Sequence, residues 1–153
     1  MPVQTLEPIL AKQPIFTGLD KTYLDLITGC AANAVFKDGE VIFREGEESN
    51  QFFVIRDGRI ALEIHVPGHG SVTIQTVEPG DVVGWSWLFP PYRWYFTGRA
   101  LGNTRAVSLD GVCLRGKCEA DHNLGYEFLK RFSHIMVQRL EATRLQLLDI
   151  YGK

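Results

Sequence analysis

Paired turn residues punctuate the middle of this chain at close intervals: Asp38-Gly39, Glu45-Gly46, Asp57-Gly58, Pro67-Gly68, Pro79-Gly80 and Gly102-Asn103. The segments they separate, AANAVF, EVIF, QFFVIR, RIALEIHV, SVTIQTV, YFTGRAL and TRAVSL, are short and rich in β-branched and aromatic residues. Glycine and asparagine supply the positive φ of tight connections, and Asp-Gly between apolar runs signals a hairpin. In RIALEIHV the alternation puts Ile60, Leu62, Ile64 and Val66 on one face. About eight strands at this spacing predict a mainly β domain, built as a sandwich, roll or barrel.

Both ends of the chain change period. Asp20 precedes KTYLDLITG, where Leu24 and Ile27 recur at helical spacing and Gly29 closes the end, so a short capped helix is predicted within residues 18–30. Asp110 caps GVCLRGKCEA, and Asp121 caps a longer helix running to Ile150. That helix carries two apolar stripes. Phe128, Phe132 and Ile135 form one; Tyr126, Leu129, Met136, Leu140, Thr143, Leu147 and Ile150 form the other, in the three- and four-residue steps of a coiled-coil seam. The second stripe predicts a homodimer through this C-terminal helix; the alternative is a helix folded back across the β domain.

A length of 153 residues, 45% of them hydrophobic, suits a single domain over 1–153. A net charge of −2 supplies no general basic field for nucleic acid or anionic lipid. No apolar run approaches the roughly 20 residues that span a bilayer, and the N-terminus lacks a leader pattern, so a cytoplasmic location is expected, with no membrane contact. Cys30, Cys113 and Cys118 are odd in number and follow no disulfide framework, which suits a reducing compartment. Cys113, Cys118 and His122 invite a metal reading, but two cysteines five apart lie about 140° around a helix and a fourth ligand is missing, so no metal is expected. His65 and His69 fall at an exposed PGHG loop, and His134 lies on the long helix. No nucleophile elbow, phosphate loop or carboxylate pair occurs, and an enzyme is not expected.

The segment GWSWLFPPYRW, residues 84–94, gathers every tryptophan of the chain around one arginine. A buried Arg93 needs an anionic ligand, the face of Trp85 or Trp94, or a carboxylate such as Glu45, Glu47 or Glu48. Trp85 and Trp87 either fill the β domain or wall a planar ligand, while Ser86 offers a hydroxyl and an N–H. Pro90-Pro91 halts any helix begun here.

Three stretches, FKDGEVIFREGEESNQFFVIRDGRIAL, VEPGDVVG and RLEATRLQLL, together resemble the cyclic nucleotide-binding domain of the catabolite activator (Crp/Fnr) family. The resemblance implies a jelly-roll-like β-roll of the double-stranded β-helix type over 31–110, with a phosphate-binding cassette at 80–100, an N-terminal helix, and C-terminal helices over 111–150. It also implies a cyclic nucleotide or other small anionic ligand, held by Gly84, Trp85, Ser86, Arg93 and Arg99, with Thr143 at the position from which the family reaches the purine. The cassette departs from the family pattern. Trp85 replaces the glutamate that holds the ribose, Trp87 replaces a small residue, Arg93 is about one residue out of register, and Arg144 stands where a small polar residue is usual. The expected function is a small-ligand-sensing regulatory module that is not a standard cyclic AMP binder. The alternatives are a ligand-free protein-interaction domain with a partner protein, or the sensor half of a transcription regulator. The chain stops at Lys153 soon after the helix, so direct DNA reading is not expected.

Overall fold

The structure, a computed structural model, describes residues 6–152 and forms two compact units, one reaching to Lys117 and the other starting at Cys118. The first unit opens with α1 (Glu7–Ala11), a 3-10 turn at Pro14–Phe16 and α2 (Lys21–Thr28). The Asp20 carboxylate accepts the Thr22 N–H at 3.1 Å and Gly29 ends the helix, as the capping pattern predicts.

Six antiparallel strands follow among the described residues: β1 (Ala31–Phe36), β2 (Val41–Phe43), β3 (Gln51–Val66), β4 (Gly70–Val77), β5 (Val82–Val83) and β6 (Thr97–Asp110). They form one sheet in the order β1-β6-β3-β4, with β2 also on β6 and β5 on β3. The β-roll expectation holds, but the strands are fewer and longer than the punctuation predicts. Asp57-Gly58 is not a hairpin. Ile55 faces Ala106, Asp57 faces Arg105 and Arg59 faces Leu101, so β3 passes through two register shifts and keeps β6 as its partner. Gly58, at φ +84°, lies so close to this partner that a side chain there would meet the Asn103 carbonyl oxygen at 2.7 Å. Such bulges bend and twist a ribbon without ending it, which is how two long strands make the corners of a roll. Pro67-Gly68 is a true hairpin, closed by the His69 N–H donating to the Val66 carbonyl at 2.9 Å.

The inner face of the roll collects Phe43, Phe53, Ile55, Ile60, Leu62, Val77, Val83, Trp94 and Ala106. Ile60 and Leu62 are fully buried, while Ile64 and Val66 become half-buried toward the hairpin.

The cysteine expectation is corrected. Cys30 and Cys113 are joined, with an S–S distance of 2.02 Å, and Cys118 alone is free. Ala31 pairs with Leu109, so Cys30 stands across from Asp110 and its carbonyl accepts the Asp110 N–H at 2.9 Å. The first turn of α3 (Gly111–Ala120) then returns Cys113 over Cys30. Only long-range strand register creates this meeting of residues 83 apart, and it removes the ground for inferring a reducing compartment.

The second unit is dominated by α4 (His122–Tyr151), capped by Asp121, whose carboxylate accepts the Asn123 and Leu124 N–H groups. Leu124, Phe128 and Phe132 are buried, with the two phenyl rings 6.0 Å apart. Tyr126, Leu129, Leu140, Leu147 and Ile150, from the second predicted stripe, are exposed. No helix among the described residues is long and apolar enough to cross a membrane.

Gly98 on β6 lies directly against the Phe43 ring, with no room for a methyl group, whereas Gly116 on α3 faces open space. Gly98→Ala is therefore expected to cost about 1–3 kcal/mol of stability by overpacking. Gly116→Ala should be neutral or stabilising by up to about 1 kcal/mol, since alanine is the better helix former. Urea unfolding of the two variants checks the contrast.

Candidate functional site: the cassette turn and its aromatic plug

The turn after β5 begins at Gly84, whose φ of +101° favours glycine. It continues into a single 3-10 turn at Ser86–Leu88. Phe89 and the cis-joined Pro90-Pro91 follow, then Tyr92 at φ +58°. From there the chain zips onto residues 46–49. The Ser49 N–H donates to the Tyr92 carbonyl at 2.7 Å, the Trp94 N–H to the Glu47 carbonyl at 2.9 Å, and the Gly46 N–H to the Trp94 carbonyl at 2.8 Å. Glu48 and Arg93 form the isolated bridge between them.

This short ladder decides which side chain faces inward, because extended backbone alternates its faces. Trp94 points into the roll and is 4% exposed, while Arg93 points to solvent. The Trp94 indole stacks on Phe43 with centroids 3.7 Å apart and planes inclined by 13°. It also covers Gly84 so closely that a β-carbon there would sit 2.7 Å from the indole. The indole thus fills the inner space directly against the first residue of the cassette.

The tryptophans therefore divide their work differently from the sequence expectation. Trp87 is fully buried, but it stacks on Phe52 at 5.0 Å and packs its Cβ toward Gly111, outside the inner core cluster. Trp85 is half-buried. Trp94, not Trp85 or Trp87, plugs the roll.

The expected ligand residues are also separated. Gly84 and Ser86 are buried in the turn. Arg93 is exposed and makes no ion pair or ring contact with a described residue, so the burial that would have demanded an anion does not occur. Arg99 is already engaged: its Nε lies 3.3 Å from the Glu63 carboxylate and its Nη1 donates to the Gly39 carbonyl at 3.1 Å. Thr143 lies on the exposed part of α4, where its hydroxyl donates to the Arg139 carbonyl at 2.9 Å.

Arg115 on α3, overlooked in the sequence, holds the turn instead. Its guanidinium donates to the Trp87 carbonyl and to Asn50 Oδ1, and it lies over the Tyr92 ring at 4.1 Å. Charge-assisted hydrogen bonding and cation–π contact are each favourable in a half-buried setting. No local motif announces this role, because its partners lie 28 and 65 residues away.

Beside the plug is a cavity of ≈ 420 Å³, walled by Phe43, Trp94, Asn50, Gln51, Val112 and three carboxylates, Glu47, Glu48 and Asp110. No cation is among its described lining residues, so its field opposes a phosphate. Among the described residues no group of three or more His, Cys, Asp or Glu is placed to hold a metal ion, and the Cys113 sulfur is tied to Cys30.

Comparison with known proteins matches this architecture. The cyclic nucleotide-binding domain profile covers residues 34–121, and the chain belongs to that family. A CRP-like cAMP-activated global transcriptional regulator of Mycobacterium tuberculosis is 23% identical over 145 residues, covering 95% of this chain and 63% of the regulator. The chain thus spans less than two thirds of that relative. A candidate cyclic nucleotide-binding protein of Geobacter metallireducens superposes with a TM-score of 0.80 at 25% identity, covering 88% of this chain and 97% of its own. The catabolite activator protein of Thermus thermophilus gives 0.70 at 19% identity, covering 91% and 63%.

Replacing Arg115 by methionine keeps the aliphatic stem but leaves the Trp87 carbonyl without its guanidinium. The loss expected is about 1–3 kcal/mol. It should be accompanied by a change in Trp87 emission before global unfolding, read by intrinsic fluorescence during a urea titration.

Proposed function

We propose that this chain is a regulatory sensing module of the cyclic nucleotide-binding family whose cue is not cyclic AMP. The observation that carries this reading is Trp94, stacked on Phe43 and pressed against Gly84 where the family's cassette begins. A nucleotide entering there would have to expel a buried indole. It would also lack the ribose-holding carboxylate, since Trp85 stands in that place, and it would find both nearby arginines turned elsewhere. The acidic wall of Glu47, Glu48 and Asp110 adds like-charge repulsion. Relatives that sense cAMP support a sensing role for the fold. A second reading, a protein-interaction module that uses no small ligand, is favoured by the same acidic cavity.

Thermal unfolding with cyclic AMP, cyclic GMP, cyclic dinucleotides and small carboxylates tests the reading. A ligand at a hundred times its dissociation constant stabilises by about 2.7 kcal/mol, so binding would be plain. Neither cyclic mononucleotide should shift the transition at millimolar concentration. A clear cyclic AMP shift in the wild-type chain, lost in Arg93→Ala, would overturn it.

We further propose a homodimer through α4. Leu129, Leu140, Leu147 and Ile150 are exposed along the sequence-predicted seam, and Leu129 and Met136 lie one heptad apart. A pair of such helices side by side buries both seams, which a single exposed helix leaves in water. Light scattering at micromolar protein should give twice the chain mass, and the double variant Leu140→Glu, Leu147→Glu should give the single mass with an unchanged β signal in circular dichroism. A monomeric wild-type chain would remove the proposal.

A further inference from the structure

Several ties converge at the start of α3. The Asp110 N–H donates to the Cys30 carbonyl at 2.9 Å, while its carboxylate accepts the Cys113 N–H at 3.0 Å. The Gly111 N–H donates to the Asn50 carbonyl at 2.7 Å, and Lys117 Nζ reaches back to the Leu26 carbonyl at 2.6 Å. The Cys30–Cys113 bond is superimposed on this set. None of these polar ties runs through either sulfur. Two residues beyond Cys113 stands Arg115, whose guanidinium clasps the Trp87 carbonyl, Asn50 and the Tyr92 ring.

We propose that the Cys30–Cys113 bond is a thiol–disulfide exchange site, opened by a dithiol reductant, that sets how firmly Arg115 holds the cassette turn. Access favours one sulfur: Cys113 is half-buried, whereas Cys30 is 8% exposed. A thiolate of the dithiol attacks the Cys113 sulfur, forming a mixed disulfide and expelling Cys30 as thiolate, which takes up a proton. The second thiol of the reductant then attacks its own sulfur in the mixed disulfide and releases Cys113, also protonated. Two electrons pass to the protein, the dithiol becomes a cyclic disulfide, and the protein carries two thiols. Burial, with Glu119 and Asp121 adding, pushes the Cys118 thiol up to about 11, so it stays protonated at neutral pH and is a poor competing nucleophile. This coupling is independent of whether any small ligand enters the roll, and it runs through α3, which carries both Cys113 and Arg115.

The test uses the full chain, air-oxidised or treated with dithiothreitol without denaturant. Maleimide labelling of the chain unfolded after each treatment, read by mass, should count one thiol before reduction and three after it. Hydrogen exchange should then show peptides over 85–92 exchanging roughly tenfold faster in the reduced form, with peptides of β3 over 60–66 unchanged. Arg115→Met should bring oxidised protein to the same fast exchange and make reduction without further effect there. Cys113→Ser should match the reduced wild type; should that variant not fold, the two wild-type forms still decide. A bond that fails to form in air or resists dithiothreitol, an 85–92 segment indifferent to reduction, or acceleration of every peptide together would each overturn the proposal.

Discussion

The inner architecture of the roll depends on one aromatic stack held between two glycines. Phe43 and Trp94 lie face to face 3.7 Å apart, with Gly98 against the phenyl ring and Gly84 against the indole. A side chain on Gly98 would collide with the phenyl ring, and one on Gly84 with the indole. The stack in turn completes the inner face shared with Phe53, Ile55, Ile60 and Leu62. It also closes the inner space against Gly84, at the end of β5. The same interaction therefore supports the core and fixes the path of the chain at Gly84.

Around this plug the cassette is held from outside. The ladder between residues 46–49 and 92–94 sends Trp94 inward and Arg93 outward, and Arg115 secures the intervening turn through the Trp87 carbonyl and the Tyr92 ring. Arg99, the other expected ligand arginine, is occupied by Glu63. Of the three arginines described at the cassette, Arg93 lies in solvent, while Arg99 and Arg115 are engaged within the protein. The Cys30–Cys113 disulfide ties the helix that does the holding to the residue before β1.

Much of the fold is legible in the sequence. The caps at Asp20, Asp110 and Asp121 fall where short-range hydrogen bonding predicts them. The alternation around Ile60 and Leu62 marks the inner face, and the resemblance drawn from the glycine pattern agrees with the family to which the chain belongs. Less of the candidate site could be read. The segment over 84–94 was recognisable as the unusual one, but the assignment of its three tryptophans and its arginine was not. A two-residue period makes a shift of one position exchange the inward and outward sets, and that register is fixed by Glu47 and Ser49, not by anything within the segment.

What the sequence alone determined is what neighbours in the chain decide: helix starts, turn positions, strand periodicity and the apolar stripes of the last helix. Tertiary structure alone decided that Asp57-Gly58 bends a continuous strand, that Cys30 meets Cys113, that Trp94 fills the roll, and that Arg115 grips the cassette. Each of these depends on partners 28 to 83 residues apart or on a ladder register set elsewhere in the chain. Local propensity carries no record of such distances; the pairings of β6 with β1, β2 and β3, of β5 with β3, and the ladder between residues 46–49 and 92–94 bring those groups within range.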